Sequence, residues 1–188
     1  MAIKLIIGIG NPDEQYKDTR HNVGFMMMEY IAKKNDFVDF EFNKKLKTLT
    51  SKGKLEGSSI ILAKPQTYVN KTGEAAVKLK NFYKVKTEQI LVIQDDLDVP
   101  FGNTKISFDR NSGGHKGIES IMRALKTKKF YRLRVGLAKP ALQKARQQSD
   151  KKRDEFVVKM VLSRFSPSEQ DELKKIFKEG YEKILQLL

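Results

Sequence analysis

Cysteine is absent from this chain, and histidine occurs only twice in its 188 residues, at His21 and His115. The missing thiols exclude disulfides, thiolate metal ligands and cysteine nucleophiles. The two histidines stand far apart in the sequence, so a zinc site would need mostly carboxylates, and no metal is expected. Long apolar runs are missing as well. The stretch Met1-Ala2-Ile3-Lys4-Leu5-Ile6-Ile7 is too brief for a signal peptide or a membrane span. No basic amphipathic segment carries the aromatic face that lies on lipid. No repeat, low-complexity tract or compositional break marks a second domain. The expectation is one soluble cytoplasmic domain over residues 1–188, long enough to bury a full core, with nothing that demands more than a monomer.

What the chain does have is positive charge. Its 37 Lys and Arg against 23 Asp and Glu leave a net charge of +14. Such an excess favours polyanionic partners: nucleic acid, anionic lipid or phosphorylated substrate. Lysine is also the ordinary solubilising residue, so charge alone leaves nucleic acid and plain solubility as equal readings.

Strands and helices alternate. Residues 3–9 are a continuous β-branched and leucine run, the pattern of a strand buried on both faces. Residues 23–33 have helical spacing, with Phe25, Met28 and Ala32 on one face and Met26 to Met28 as core filler. Strands are predicted at 48–54, 58–64, 90–93, 104–108 and 133–137. A helix opened by Asn70-Lys71-Thr72-Gly73 carries Ala75, Ala76, Leu79 and Phe82 on its apolar side. Another carries Ile118, Ile121, Met122 and Leu125. Residues 139–154, almost wholly polar, read as a mobile surface segment or lid. Ser166-Pro167-Ser168-Glu169 is a capping box with proline at the first helical position, and the helix it opens buries Leu173, Ile176, Phe177, Ile184 and Leu188. The whole predicts a single α/β domain: a mixed, mostly parallel central sheet with helices on both faces.

Three loops hold polar residues that could act on a substrate, two of them directly after buried strands, where ligand sites of α/β folds gather. The first contains Asn11, His21 and Asn22. The second is Lys64-Pro65-Gln66-Thr67-Tyr68-Val69-Asn70, and the third is the acidic turn Asp95-Asp96-Leu97-Asp98. Should they converge, a histidine, a carboxylate and two amides would share one cleft. That set suits hydrolysis by activated water, the carboxylate orienting an imidazole base and the amides holding a carbonyl. Taken singly, each has a plainer role: Asn70 as a helix cap, the aspartates as turn caps, Asn11-Pro12 and Gly113-Gly114 as turn chemistry. No serine sits in a nucleophile elbow, so no acyl-enzyme is suggested. Gly8 and Gly10 begin a dinucleotide fingerprint, but Asp13 stands at its third glycine and no helix follows to receive a pyrophosphate.

Together, Gly8-Ile9-Gly10-Asn11-Pro12 with Tyr16 and Thr19-Arg20-His21-Asn22-Val23-Gly24, then Lys64 to Gly73, then Asp95 to Gly102 with Ser112 to Gly117, resemble the signatures of the bacterial-type peptidyl-tRNA hydrolase family. Phe130 to Gly136 and Phe156 to Phe165 extend the likeness over essentially the whole chain. The resemblance implies an esterase that cleaves a peptide's C-terminal carboxyl from the 3′-terminal ribose of tRNA, recycling tRNA after aborted translation, with no cofactor. By position it makes His21 the base and Asp95 its orienting carboxylate, with Asn11, Tyr16, Tyr68 and Asn70 around the peptidyl end and the attacking water. Arg134 falls at one of two basic positions where the family clamps tRNA phosphate, and Lys105, two residues from the other, joins it as the candidate contact for tRNA phosphate. Three positions depart from the family pattern: Lys116 replaces the usual asparagine after His115, Asp13 replaces a glycine, and Ser107 occupies one of two basic phosphate-clamp positions. Lysine donates but does not accept hydrogen bonds, so Lys116 is expected to act as a cation toward oxyanion charge or phosphate. The alternative is an RNA-binding protein on the same scaffold with weakened catalysis, an option that Lys116 alone favours. An exopeptidase or nucleoside phosphorylase lacks the metal ligands or phosphate-cradling loop it would need.

Overall fold

In the computed structural model, which describes residues 2–188, the chain opens with the short strand β1 (Leu5–Gly8) at the centre of a seven-stranded sheet. The further strands are β2 (Glu41–Asn43), β3 (Thr48–Leu55), β4 (Ser58–Pro65), β5 (Ile90–Pro100), β6 (Thr104–Phe108) and β7 (Tyr131–Ala138), in the spatial order β2-β3-β4-β1-β5-β7-β6. The central pairs β4–β1, β1–β5 and β5–β7 are parallel, and the outer pairs are antiparallel.

Six helices flank the sheet: α1 (Val23–Lys34), α2 (Thr72–Phe82), α3 (Lys116–Leu125), α4 (Pro140–Arg146), α5 (Asp150–Val161) and α6 (Pro167–Leu185). The period-two alternation of a strand divides the apolar runs between two cores. Ile6, Leu91, Ile93, Leu133 and Val135 pack under α1 and α6, with Met27, Ile31, Leu173 and Ile176. Leu5, Ile7, Ile90 and Val92 pack under α2 and α3, with Ala76, Leu79, Ile118 and Ile121. Burial on both faces is why β1 and β5 read as unbroken hydrophobic runs. Met27 and Met28 are fully buried, as core filler should be.

Some local expectations are corrected. Asp95 to Asp98 is not a turn, because β5 continues to Pro100 and pairs Asp95 and Asp96 with Val135 and Gly136 of β7 before a bulge. Residues 139–154, read as a mobile surface segment or lid, are helical: they fold into α4, which buries only Leu142 and Ala145, and the first five residues of α5, which buries none. Phe82 is 55% exposed at the end of α2, and Leu188 lies beyond α6. The capping box at Ser166 and Glu169 forms as its spacing predicts.

Two close approaches set the site. A Cβ on Gly24 would fall 2.5 Å from the backbone of Ile9, and one on Gly8 would fall 2.6 Å from the carbonyl oxygen of Gly24. Only glycines let the first turn of α1 rest directly on the sheet. The 3-10 turn Arg20–Asn22, which precedes α1, is thereby held against the ends of β1 and β5.

Candidate active site

His21 sits in that 3-10 turn, and its Nδ1 lies 2.9 Å from both carboxylate oxygens of Asp95. Neighbouring strand residues point to opposite faces, which separates the two carboxylates. Asp95 meets His21, while Asp96 accepts from Arg134 Nε at 2.7 Å and Nη2 at 3.2 Å.

The second histidine is also here, which reasoning from chain separation missed. His115 Nε2 lies 2.9 Å from Asp95 Oδ1, and the two imidazoles are 5.3 Å apart. His115 is the N-cap of α3, and its Nδ1 accepts from the backbone N–H groups of Gly117 at 3.1 Å and Ile118 at 3.4 Å. An accepting Nδ1 fixes the ring's proton on Nε2, so His115 is a donor to Asp95. The sequence signal was present: a histidine just before a helix, in the place of a capping residue.

Asp95 is almost fully buried. Burial works against its ionisation, but the two imidazoles outweigh it and hold the carboxyl well below the usual carboxylate range. Burial alone would lower the pKa of His21; the charge and hydrogen bond of Asp95 reverse this and raise it above its ordinary value. With Nδ1–H given to Asp95, the neutral His21 ring carries its free lone pair on Nε2, which has no protein partner among the described residues. The ring thus has the tautomer and orientation of a general base.

Ligand atoms of His21, Asp95 and His115 all lie within 4.8 Å of one another. A cation does not suit this trio as it stands. His115 Nε2 bears a proton that cannot move to Nδ1 without opposing the two N–H groups that cap there.

His21, Asp95, His115 and Lys116 line a cavity of about 530 Å³ together with Leu97 and with Asp154, Val157, Val158 and Val161 of α5. Lys116 stands at its rim, 76% exposed, with Nζ 3.7 Å from Glu119. Asn11, Tyr68 and Asn70 form a second group beside it. The amide of Asn22 brackets the backbone of Asn11 with two 2.9 Å bonds, and Asn11 Oδ1 accepts from Val69 N–H at 3.1 Å. Asn11 therefore clips the 3-10 turn Val69–Lys71 to the His21 turn. Asn70 is exposed on that turn and caps nothing, for the N-cap of α2 is Lys71. Tyr68, half exposed, donates to Asp13 at 2.7 Å across the gap, and Tyr16 ends the 3-10 turn Glu14–Tyr16 nearby. Asp13 thus makes a cross-loop contact that glycine could not.

A neighbouring cavity of about 550 Å³ is lined by Lys105, Ser107, Arg110, Arg132 and Arg134, and it shares Ser112 and Gly113 with the first. Register pairs Lys105 with Arg134 and Ser107 with Arg132, so all four side chains share one face. Arg132 is 3% exposed and donates to a backbone carbonyl, that of Asn111.

The polar geometry is matched by likeness to known proteins. Residues 5–188 match the family model described as peptidyl-tRNA hydrolase. The chain belongs to the peptidyl-tRNA hydrolase family. It is 39% identical over 184 residues to the peptidyl-tRNA hydrolase of Aquifex aeolicus, covering 96% of this chain and 87% of that one. It is also 39% identical over 186 residues to that of Sulfurihydrogenibium, covering 99% and 91%. Among solved structures, the peptidyl-tRNA hydrolase of Acinetobacter baumannii superposes with a TM-score of 0.86 at 31% identity, covering 98% of this chain and 88% of that one. Membership makes the chain a hydrolase, and in this family member the His21–Asp95 pair fits a catalytic pair. None of its described helices is long and apolar enough to cross a membrane.

Proposed function

We propose that this chain hydrolyses the ester between a peptide's C-terminal carboxyl and the 3′-terminal ribose of tRNA, acting as a cytoplasmic monomer without a cofactor. The observation that carries the reading is a histidine, oriented by a buried aspartate, opening into a cavity that adjoins a basic one. His21 Nε2 takes a proton from water as the water oxygen attacks the ester carbonyl carbon. The bond to the ribose oxygen then breaks, and that oxygen leaves with the proton held by the imidazolium. The products are the free peptide acid and tRNA. Asp95 stabilises the imidazolium while it exists.

Asn70, exposed and free of protein partners among the described residues, is read as the amide that holds the carbonyl or the water. Asn11, Tyr16 and Tyr68 shape the peptidyl end. Lys116 is read as a cation at the rim, toward oxyanion charge or the terminal phosphates. Lys105 and Arg134 are the leading contacts for tRNA phosphate, read by backbone and shape. Helices α4 and α5 are read as the lid, because α5 supplies the apolar wall facing His21. An RNA-binding protein with weakened catalysis finds no support, since binding alone has no use for a buried carboxylate shared by two imidazoles.

The test is release of an N-blocked aminoacyl group from tRNA by wild type and His21→Ala. Turnover lost in His21→Ala supports the mechanism. Unchanged turnover refutes it, and an inactive wild type promotes the binding-protein reading.

A further inference from the structure

Glu169 is a buried carboxylate that the reaction does not use, yet both its oxygens are fully engaged close to the His21 turn. Nη2 of Arg20, the residue before His21, donates to Glu169 Oε1 at 2.8 Å and to Oε2 at 2.7 Å. The backbone N–H of Ser166 donates to Oε2 at 2.7 Å, and the ammonium of Lys139 pairs with Oε1. All the acceptor positions of one carboxylate are thus filled.

The donors come from three places that matter. Arg20 belongs to the His21 turn. Lys139 is the residue before α4, and Ser166 follows α5, so the α4–α5 hairpin has both its feet on Glu169. Arg20 fastens the second foot again: Nη1 donates to Ser163 Oγ at 2.8 Å and to the carbonyl of Arg164, and its backbone N–H donates to Ser163 at 3.0 Å. The guanidinium also lies over the ring of Phe165, 5.0 Å from its centre. Thr19 forms an isolated bridge with Arg164. At the other end of the hairpin's reach, Val157, Val158 and Val161 of α5 form the cavity wall facing His21.

We infer that Glu169 is a positioning residue: it locks both feet of the α4–α5 hairpin to the turn that carries His21, so that seating the hairpin and aiming the imidazole are one event. It touches neither substrate nor the reacting atoms. The inference rests on the reading of His21 as the base and of α4–α5 as a lid. That reading fails separately, through an unaffected His21→Ala or an inactive wild type.

Glu169→Gln keeps an amide able to cap Ser166 and removes the charge that gathers Arg20 and Lys139. Normalised to folded protein, it is expected to lower kcat on the order of tenfold to a hundredfold, with a smaller change in KM. The His21 titration midpoint, followed by NMR of the imidazole, should fall because the ring no longer rests squarely on Asp95. Loss of one partner of a buried ion pair can itself cost the fold. Lys139→Met therefore releases one foot from a half-exposed position and keeps the Arg20 pair intact. It should speed amide exchange across 140–162 and, through that loosened hairpin, lower the His21 midpoint part of the way. Faster exchange with an unmoved His21 midpoint and unchanged kcat would overturn the coupling. So would a folded Glu169→Gln with wild-type kcat.

Discussion

Asp95→Asn tests the site at its centre, because the fold dictates which way the new amide must face. Asp95 Oδ1 receives both His21 Nδ1 and His115 Nε2, each at 2.9 Å. His115 has its proton pinned on Nε2, so an amide nitrogen in the Oδ1 position would oppose a donor. The amide oxygen stays there instead and can still accept from His21 Nδ1, so the ring keeps its proton on Nδ1 by leaning toward Oδ1 and away from the amide nitrogen that replaces Oδ2. What is lost is the charge that steadies the imidazolium. A charge-assisted hydrogen bond contributes about 1.5–3 kcal/mol, which is about one to two orders of magnitude in kcat/KM. Losing the tautomer as well would cost about 10⁴-fold. The acidic limb of the kcat/KM profile reports His21 losing its proton. In the wild type it should lie above pH 6.5, since Asp95 outweighs burial there. In Asp95→Asn only the burial remains, and the limb should drop below 6.5. The double variant Asp95→Asn with His115→Ala frees the amide to turn over and should lose roughly tenfold or more beyond the single. The assay is release of N-blocked aminoacyl groups across pH 5 to 8.5. A single variant whose limb stays above 6.5, or a double variant no worse than the single, refutes the tautomer lock.

Other expectations follow from the same geometry. Asn11→Ala leaves the Val69 N–H without its acceptor and should cost about 1–3 kcal/mol of stability, whereas exposed Asn70→Ala should melt like the wild type while losing turnover; thermal melts beside the hydrolysis assay separate them. Affinity for tRNA should fall steeply with salt, and Lys105→Ala, which breaks no internal contact, should reduce the slope of log K against log salt by about 1; a flat salt dependence removes electrostatic docking. Gly73→Ala puts a Cβ 2.2 Å from the carbonyl oxygen of Ser120, where α2 meets α3, and should destabilise by several kcal/mol, on the order of the largest single-residue effects, in chemical unfolding. Glu169 is held down to about 2 against burial by Lys139, Ser166 N–H and Arg20. A depressed carboxylate adds stability above its unfolded pKa and loses it as pH falls toward the folded one. Denaturant midpoints should therefore decline between about pH 4.5 and 2, and Glu169→Gln should flatten that decline.

Much of this molecule was legible before any coordinates. The apolar runs at 3–9 and 90–93 declared strands buried on both faces, and the capping box at Ser166 declared the last helix. Local propensity and periodicity suffice for such elements because each is specified by residues within a few positions of one another. The same locality explains the errors. Asp95 to Asp98 looks like a turn in sequence, but pairing with β7 overrides the local preference. Residues 139–154 show little apolar stripe because α4 buries only Leu142 and Ala145 and α5 buries no residue, not because they lack helix.

The site divides in the same way. Its motifs named His21, Asp95, Asn11 and Asn70, since those residue types in those loops already imply chemistry. Only the tertiary structure decided how they divide. It assigned Asn11 to clipping two loops together, left Asn70 open, and joined Lys105 to Arg134 across a β-ladder. It also brought two histidines onto Asp95 from opposite directions along the chain, His21 from 74 residues before it and His115 from 20 residues after it. Chain separation says nothing about distance once a parallel sheet has gathered strand ends onto one edge. The sequence determined which groups the protein owns; the crossovers of the sheet and the glycine contacts beneath α1 decided which of them touch.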